Sequence, residues 1–221
     1  MDRSPREGRC MPESEKGLKT LIQESGLGAN PDISARLQAY LELLVKWNSR
    51  INLTSSTKWD VLGPLFQEGI WASKFYPKNA ANHLDIGSGA GFPAILLKIL
   101  NPDIRLDLVE SRAKKAVFLE TAASALELNG VRVHAMRLQT FLRESDRSKT
   151  WNCVSWKAVK LSSNDIRMLL AHAEAGTQFW MHHGSEPAVE EPLIMEQSFR
   201  LFREAKFSGR KLWSLSIYLP K

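Results

Sequence analysis

The sequence predicts an α/β protein: a single domain built on a mostly parallel sheet of about seven strands with helices on both faces, preceded by a helical extension. Three observations carry this expectation. From Leu84 onward, short apolar runs alternate with amphipathic stretches, the pattern of parallel strands joined by crossover helices. A glycine-rich loop, Gly87-Ser88-Gly89-Ala90-Gly91, follows the first apolar run directly. The residues before Asn82 show helical spacing only.

Residues 1–15 are polar, contain Pro5, Gly8 and Pro12, and read as a disordered tail. From Ser14 an amphipathic pattern begins at Leu18, Leu21 and Ile22 and stops at Gly26-Leu27-Gly28. Pro31 opens a longer helix whose apolar stripe is Leu37, Tyr40, Leu41, Leu44, Val45, Trp47 and Ile51. Asn52 to Thr57 breaks it, and Thr57 is placed to cap a helix from Trp59 to Tyr76. These helices form a cap over residues 16–78, and the core takes residues 79–221. Within the core, strand Leu84–Ile86 leads through the glycine loop into a helix, Phe92–Leu100. Strand Ile104–Glu110 follows, then helix Lys114–Leu128 with Ser111 as its cap, and strand Val131–Met136. Strand Asn152–Lys157, a helix over Asn164–Ala173, strand Thr177–His182 and a helix over Glu186–Met195 come next. Phe199–Ala205 and Lys211–Tyr218 make a final strand pair.

Composition narrows the class of protein. At 221 residues with 43% apolar content, the chain can bury a sizeable core. A formal charge of +6 and an isoelectric point near 9.4 point to an anionic partner, nucleic acid first among them. The excess is uneven, with Arg200, Arg203, Lys206, Arg210, Lys211 and Lys221 near the end against the single acid Glu204. Two cysteines make neither a disulfide framework nor a metal cluster, and Cys153, inside an apolar strand, reads as a buried thiol. The His182-His183 pair lacks ligands at metal spacing, so no metal site is expected. Apolar runs are too short to span a bilayer and no signal-peptide core is visible, so the expectation is a cytoplasmic, reduced, monomeric protein with no membrane partner.

The chemistry lies in His83-Leu84-Asp85-Ile86-Gly87-Ser88-Gly89-Ala90-Gly91-Phe92-Pro93. Glycines at every second position let a ligand rest on bare backbone. Glu110 ends the next strand, about 20 residues on, where an acid can hydrogen-bond a ribose. Together these imply an adenosine-containing cofactor at the first crossover of the sheet. A phosphate-cradling loop would need a Lys-Ser/Thr pair, and none is present. A dinucleotide site would place its third glycine where Phe92 stands. The pattern instead resembles that of the Rossmann-like class I methyltransferases, which bind S-adenosylmethionine.

A narrower resemblance rests on Lys46-Trp47-Asn48, Asn52-Leu53-Thr54, Leu84-Asp85-Ile86-Gly87-Ser88-Gly89-Ala90-Gly91-Phe92-Pro93, Leu108-Val109-Glu110-Ser111 and Lys114-Lys115-Ala116-Val117-Phe118-Leu119. These segments are similar to the small-subunit ribosomal RNA methyltransferase G family, also called glucose-inhibited division protein B. The resemblance covers roughly Leu37 to Asp165 and implies transfer of a methyl group to N7 of a guanine in small-subunit (16S) ribosomal RNA, free or within the 30S particle. It implies that Asp85, Gly87, Gly89, Gly91 and Phe92 shape the methionine side of the cofactor pocket. It gives Glu110 the ribose, places Leu138 and Gln139 against the adenine, and puts Lys157 at the mouth, beside the cofactor, where it positions the acceptor. The chain departs from the family at Ala94, Leu96, Gln139, Trp156-Lys157 and His183-Gly184, and between Gln67 and Ser73. Lys and Arg differ in fork geometry, so Lys157 is not a neutral exchange for the family's Arg. Two rivals stand beside this reading: a methyltransferase of a small molecule or protein, and a binding module without catalysis. Tyr40 and Trp47 read as core, and Asn52 and Thr54 as groups that satisfy turn backbone. Arg112, Lys114, Lys115, Arg137, Arg143, Arg147 and the basic C-terminal stretch are candidates for one RNA footprint.

Overall fold

The computed structural model describes residues 13–78, 81–146, 148–183, 197–208 and 212–221. Its strands are β1 (Asn82–Ile86), β2 (Arg105–Val109), β3 (Val131–His134), β4 (Trp151–Lys157), β5 (Ala173–His183), β6 (Phe199–Ser208) and β7 (Leu212–Pro220). They form one sheet in the order β3-β2-β1-β4-β5-β7-β6. β1 to β5 pair in parallel, whereas β7 pairs antiparallel with both β5 and β6. Helices are α1 (Glu13–Glu24), α2 (Pro31–Asn48), α3 (Trp59–Ser73), α4 (Ala94–Leu100), α5 (Ala113–Ala125), α6 (Leu138–Glu144) and α7 (Ser163–Leu170).

β1 is buried along almost its whole length because helices cover both faces of the sheet, which is why it reads as a continuous apolar run rather than an alternating one. On one face, Leu106 and Leu108 pack with α4, α5 and the N-terminal helices. On the other, Leu84, Ile86 and Val109 pack with Leu138, Phe141 and Ile166. The N-terminal helices share a core with the sheet. Phe92 lies 5.3 Å from both Tyr40 on α2 and Phe66 on α3, and Tyr40 donates from Oη to the Ala90 carbonyl at 2.5 Å. α2 starts where Asn30 Oδ1 accepts from the amides of Asp32 and Ile33, with Pro31 at the first helical position.

Several expectations are corrected. Residues 13–15, assigned to the tail, belong to α1, and Ser14 is buried with its Oγ donating to the Thr57 carbonyl. The remainder of the expected tail, residues 1–12, lies outside the described residues. Val45 is 43% exposed because the apolar stripe is narrower than the spacing implied. Thr57 does not cap α3, since Lys58 occupies that position and makes no side-chain cap. Ser111 does not cap α5 either: Arg112 stands there, and the Glu110 carboxylate takes its amide. Asn48, not Asn52, satisfies the turn, its Oδ1 accepting from the amides of Leu53 and Thr54. The helix expected to reach Tyr76 ends at Ser73. α6 was missed altogether, and the helix expected over Glu186–Met195 lies outside the described residues.

Candidate active site

The strand order reverses between β1 and β4, and in sheets of this kind the crevice at the carboxyl ends beside such a reversal receives ligands. The glycine loop leaves β1 there. The amides of Gly87 and Ser88 both donate to the Val109 carbonyl, at 2.8 and 3.2 Å, so the loop is folded over the end of β2. Two of its glycines have different reasons. Gly91 (φ +89°) faces inward, where an added Cβ would lie 2.6 Å from Ile95 Cγ1 and 2.9 Å from Tyr40 Oη. Gly89 (φ +57°) faces open space: a Cβ added there would approach nothing more closely than the Gly87 carbonyl oxygen, at 3.7 Å. A ligand can therefore lie directly on the Gly89 backbone.

Glu110 is buried and grips this loop. One carboxylate oxygen accepts from the Gly89 amide and the other from the Arg112 amide, both at 2.8 Å. Asp85 lies below it, 2% exposed. Burial, reinforced by the nearby Glu110 charge, pushes its carboxyl from an ordinary 3.8 up to about 7, against the opposing hydrogen bonds of Ser155 and Ser88 and the Lys157 charge. Ser155 Oγ donates to Asp85 Oδ1 at 2.6 Å.

The pocket beside the loop encloses about 180 Å³. Ile86, Val109, Met136, Leu138, Val159 and Leu161 give it apolar walls suited to a flat heterocycle, and Gln139 stands at its edge. The Gln139 amide donates to Asp165 Oδ1 at 2.6 Å, while Asp165 also closes a capping box with Ser162 at the start of α7. The Phe92 ring points away from this pocket into the aromatic group with Tyr40 and Phe66. Ala158, just after β4, holds φ +53°, a conformation disfavoured for residues with a Cβ, at the lip of the site.

Lys157 is drawn to one side. Its ammonium pairs with Glu68 Oε2 on α3, and the other Glu68 oxygen meets His182 Nδ1 at 3.0 Å. Glu68 is 1% exposed; although burial opposes ionisation, His182 and Lys157 together hold its carboxyl below the usual range. Among the described residues, His182 Nε2 finds no hydrogen-bond partner. His183 meets Ser216 Oγ at 3.0 Å.

Of the expected site residues, Gly87, Leu138 and Gln139 line the pocket, and Glu110 is tied to the loop at Gly89 with Asp85 close to its charge; Lys157 is held by Glu68, and Gly91 and Phe92 face the core. Sequence reasoning missed Asp165, Met136, Val159 and Leu161 as pocket walls, though Ser162-x-x-Asp165 carries the spacing of a capping box. It also missed Glu68, His83, Ser155 and His182. The expected single RNA footprint is divided. Arg112, Lys114, Arg137 and Arg143 are exposed on the β2 and β3 side, whereas Arg200, Arg203 and Lys206 lie on β6, the opposite edge strand of the sheet. Arg147, Arg210 and Lys211 are outside the described residues.

The residues suit S-adenosylmethionine on the structure's own terms. The Gly89 face is open, the buried Asp85 carboxyl accepts from the Ser155 hydroxyl, and apolar walls stand beside an acid at the tip of β2. Comparison with known proteins agrees. A family model for rRNA small subunit methyltransferase G matches residues 33–200. Relatives named ribosomal RNA small subunit methyltransferase G include one from Geobacillus kaustophilus, 32% identical over 73% of this chain and 69% of its own length. One from Streptococcus pneumoniae is 32% identical over 65% of this chain and 62% of its own. A third, from Staphylococcus carnosus, is 33% identical over 72% and 67%. Among solved structures, a precorrin-6y C5,15-methyltransferase from Geobacter metallireducens superposes with a TM-score of 0.55 at 11% identity, covering 77% of this chain and 91% of that one. A ribosomal protein L11 methylase from Lactobacillus delbrueckii gives 0.52 at 13% identity, covering 72% and 79%. These structural likenesses show the fold, a Rossmann-like α/β core.

Proposed function

From membership in the rRNA small subunit methyltransferase G family, to which this chain belongs, we propose that the protein transfers a methyl group from S-adenosylmethionine to N7 of a guanine in small-subunit ribosomal RNA. The observation that carries this reading is the meeting of the open Gly89 face, buried Asp85 and loop-gripping Glu110 at the reversal of strand order. S-adenosylmethionine, when bound, supplies an electrophilic methyl group on a sulfonium sulfur. Asp85 takes the ammonium of its amino-acid end, and the open Gly89 backbone lets that end lie on it, while Gly87 and Gly91 shape the loop against Val159 and against Ile95 and Tyr40. Glu110 receives the ribose hydroxyls, while Leu138 and Gln139 border the adenine. Phe92 acts behind the loop, fixing its shape through Tyr40 and Phe66.

Guanine N7 carries an in-plane lone pair and loses no proton before attack. The reaction therefore asks for alignment rather than a general base, and positioning alone can supply several kcal/mol. Lys157, steadied by Glu68, is the group assigned to the acceptor, through a phosphate or the guanine O6 edge. The N-terminal helices, from Glu13 on, and the sheet core act as one unit because Tyr40 and Phe66 share a hydrophobic core with Phe92. The net charge of +6 and the exposed arginines beside the pocket favour an RNA partner, and steep loss of RNA affinity with salt is the expected signature. Among the described residues no helix is long and apolar enough to cross a membrane. We assign the protein to the cytoplasm, acting as a monomer on the RNA or on the assembled 30S particle.

The test is incubation with methyl-labelled S-adenosylmethionine and either naked small-subunit rRNA or 30S particles from cells lacking the modification. Label in a single N7-methylguanine is expected. Cofactor binding with no transfer to either RNA form would leave a binding module, and transfer to a small molecule or protein would replace the substrate.

A further inference from the structure

Beneath the glycine loop runs a chain of buried polar groups that composition and motif give no reason to expect. Tyr76, just beyond α3, His83 on β1, Ser155 on β4 and Asp85 on β1 are 8%, 0%, 0% and 2% exposed. Tyr76 Oη lies 3.1 Å from His83 Nδ1, His83 Nε2 lies 2.7 Å from Ser155 Oγ, and Ser155 Oγ lies 2.6 Å from Asp85 Oδ1. The register makes this possible: Asp85 and Ser155 are directly paired across the β1–β4 reversal, and His83 sits two residues earlier on the same face.

Proton counting fixes every direction once Asp85 is ionised. The carboxylate can only accept, so Ser155 must donate its single hydroxyl proton to it. The Ser155 oxygen then accepts from His83, which must carry its proton on Nε2. Burial holds this imidazole neutral, its pKa lowered to about 3, so Nδ1 is bare and accepts from Tyr76. All three links are satisfied in one sense only.

We propose that Tyr76, His83 and Ser155 are positioning residues that lock the Asp85 carboxylate in the orientation needed to receive the donor's ammonium group. The proposal rests on the reading of Asp85 as the ammonium-binding group. Ser155 occupies Oδ1 and so fixes the carboxylate plane, leaving Oδ2 as the oxygen for the ligand. His83 keeps the Ser155 hydroxyl from rotating back toward the sheet, and Tyr76 fixes the imidazole tautomer. Glu110 and Lys157, the other charged groups acting on Asp85, enter from the loop and from the end of β4 and leave this line intact.

The experiment compares two ligands of one pocket by calorimetry. S-adenosylhomocysteine carries the amino-acid end, and 5′-methylthioadenosine lacks it. For Ser155→Ala, affinity for S-adenosylhomocysteine is expected to fall at least tenfold, while that for methylthioadenosine stays within twofold. His83→Gln, which keeps a donor at similar reach, is expected to recover most of the loss produced by His83→Leu. Equal loss of both ligands would mean a merely structural role and would overturn the proposal, as would unchanged S-adenosylhomocysteine binding. Wild-type protein that binds the two ligands equally well would remove Asp85 from the ammonium role. Wild-type protein that binds neither would remove the cofactor reading itself. Independently of any variant, nitrogen-15 spectra of the wild-type complex are expected to show His83 protonated at Nε2, and an Nδ1-protonated ring would refute the relay.

Discussion

Replacing Asp85 with Asn should stabilise the cofactor-free protein at alkaline pH while destroying cofactor binding. In the folded chain the carboxyl holds its proton up to about pH 7, whereas in the unfolded chain it gives it up near 3.8. Between those values the native state binds a proton that the unfolded state has lost, so stability falls as pH rises. Each unit of separation is worth about 1.4 kcal/mol, and the full separation about 4 kcal/mol. At pH 5 somewhat under half of that penalty has developed, and by pH 8 nearly all of it. The carboxamide of Asp85→Asn cannot ionise and still accepts from Ser155, so the variant's advantage over wild type should widen by about 2.5 kcal/mol from pH 5 to pH 8. For a chain of this size, that is a difference of about 5–10 °C in Tm. Urea melts of both proteins at the two pH values, without cofactor, measure it directly. The other titrating groups are common to both proteins, so the difference between them isolates position 85. A gap that stays constant with pH, or closes as pH rises, would refute the burial argument for Asp85.

Gly91 and Gly89 should fail in opposite ways. Gly91→Ala meets Ile95 and Tyr40 at a backbone φ of +89° and is expected to cost about 2–4 kcal/mol in urea melts. Gly89→Ala meets nothing and should cost only about 1 kcal/mol, yet weaken S-adenosylhomocysteine binding more than tenfold by calorimetry. Phe66→Ala removes the ring between Tyr40 and Phe92 and should cost about 3–5 kcal/mol, with loop mobility rising in hydrogen exchange. Asp107, whose carboxyl is held well below the usual range by His134, Lys149 and Trp151 despite its burial, contributes stability above the unfolded-state value near 3.8 and loses it as pH falls below that. Asp107→Asn should therefore cost about 2 kcal/mol at pH 7 and progressively less as pH falls below 3.8, measured by denaturant titration.

The fold was legible where local pattern and global role agree. The apolar run of β1 and the glycine loop carry their signals within a dozen residues, and the antiparallel β6–β7 pair follows from two strands separated by a short connection. α6 was not legible because its seven residues carry only three apolar side chains, Leu138, Phe141 and Leu142, too few to establish a period, whereas the equally short α4 is almost wholly apolar and follows the glycine loop directly. The polar groups under the site were invisible for a different reason. Glu68 meets His182 across 114 residues and Ser155 meets Asp85 across 70, so no local window contains both partners. A lone buried His or Ser reads as an ordinary core residue until the sheet register sets its neighbour beside it. Caps failed similarly: Ser111 has the right chemistry, yet Glu110, already turned toward the loop, reaches the Arg112 amide first.

The Tyr40 hydroxyl on the Ala90 carbonyl joins α2 to the ligand-facing turn. Unpacking that helix would strip the turn of a buried partner, so the two events share one free energy. By reciprocity, whatever a nucleoside ligand adds to the rigidity of the turn must also slow exchange of amide protons along α2. An N-terminal segment remote from the reacting atoms thereby becomes a gauge of donor loading, readable without watching the reaction at all.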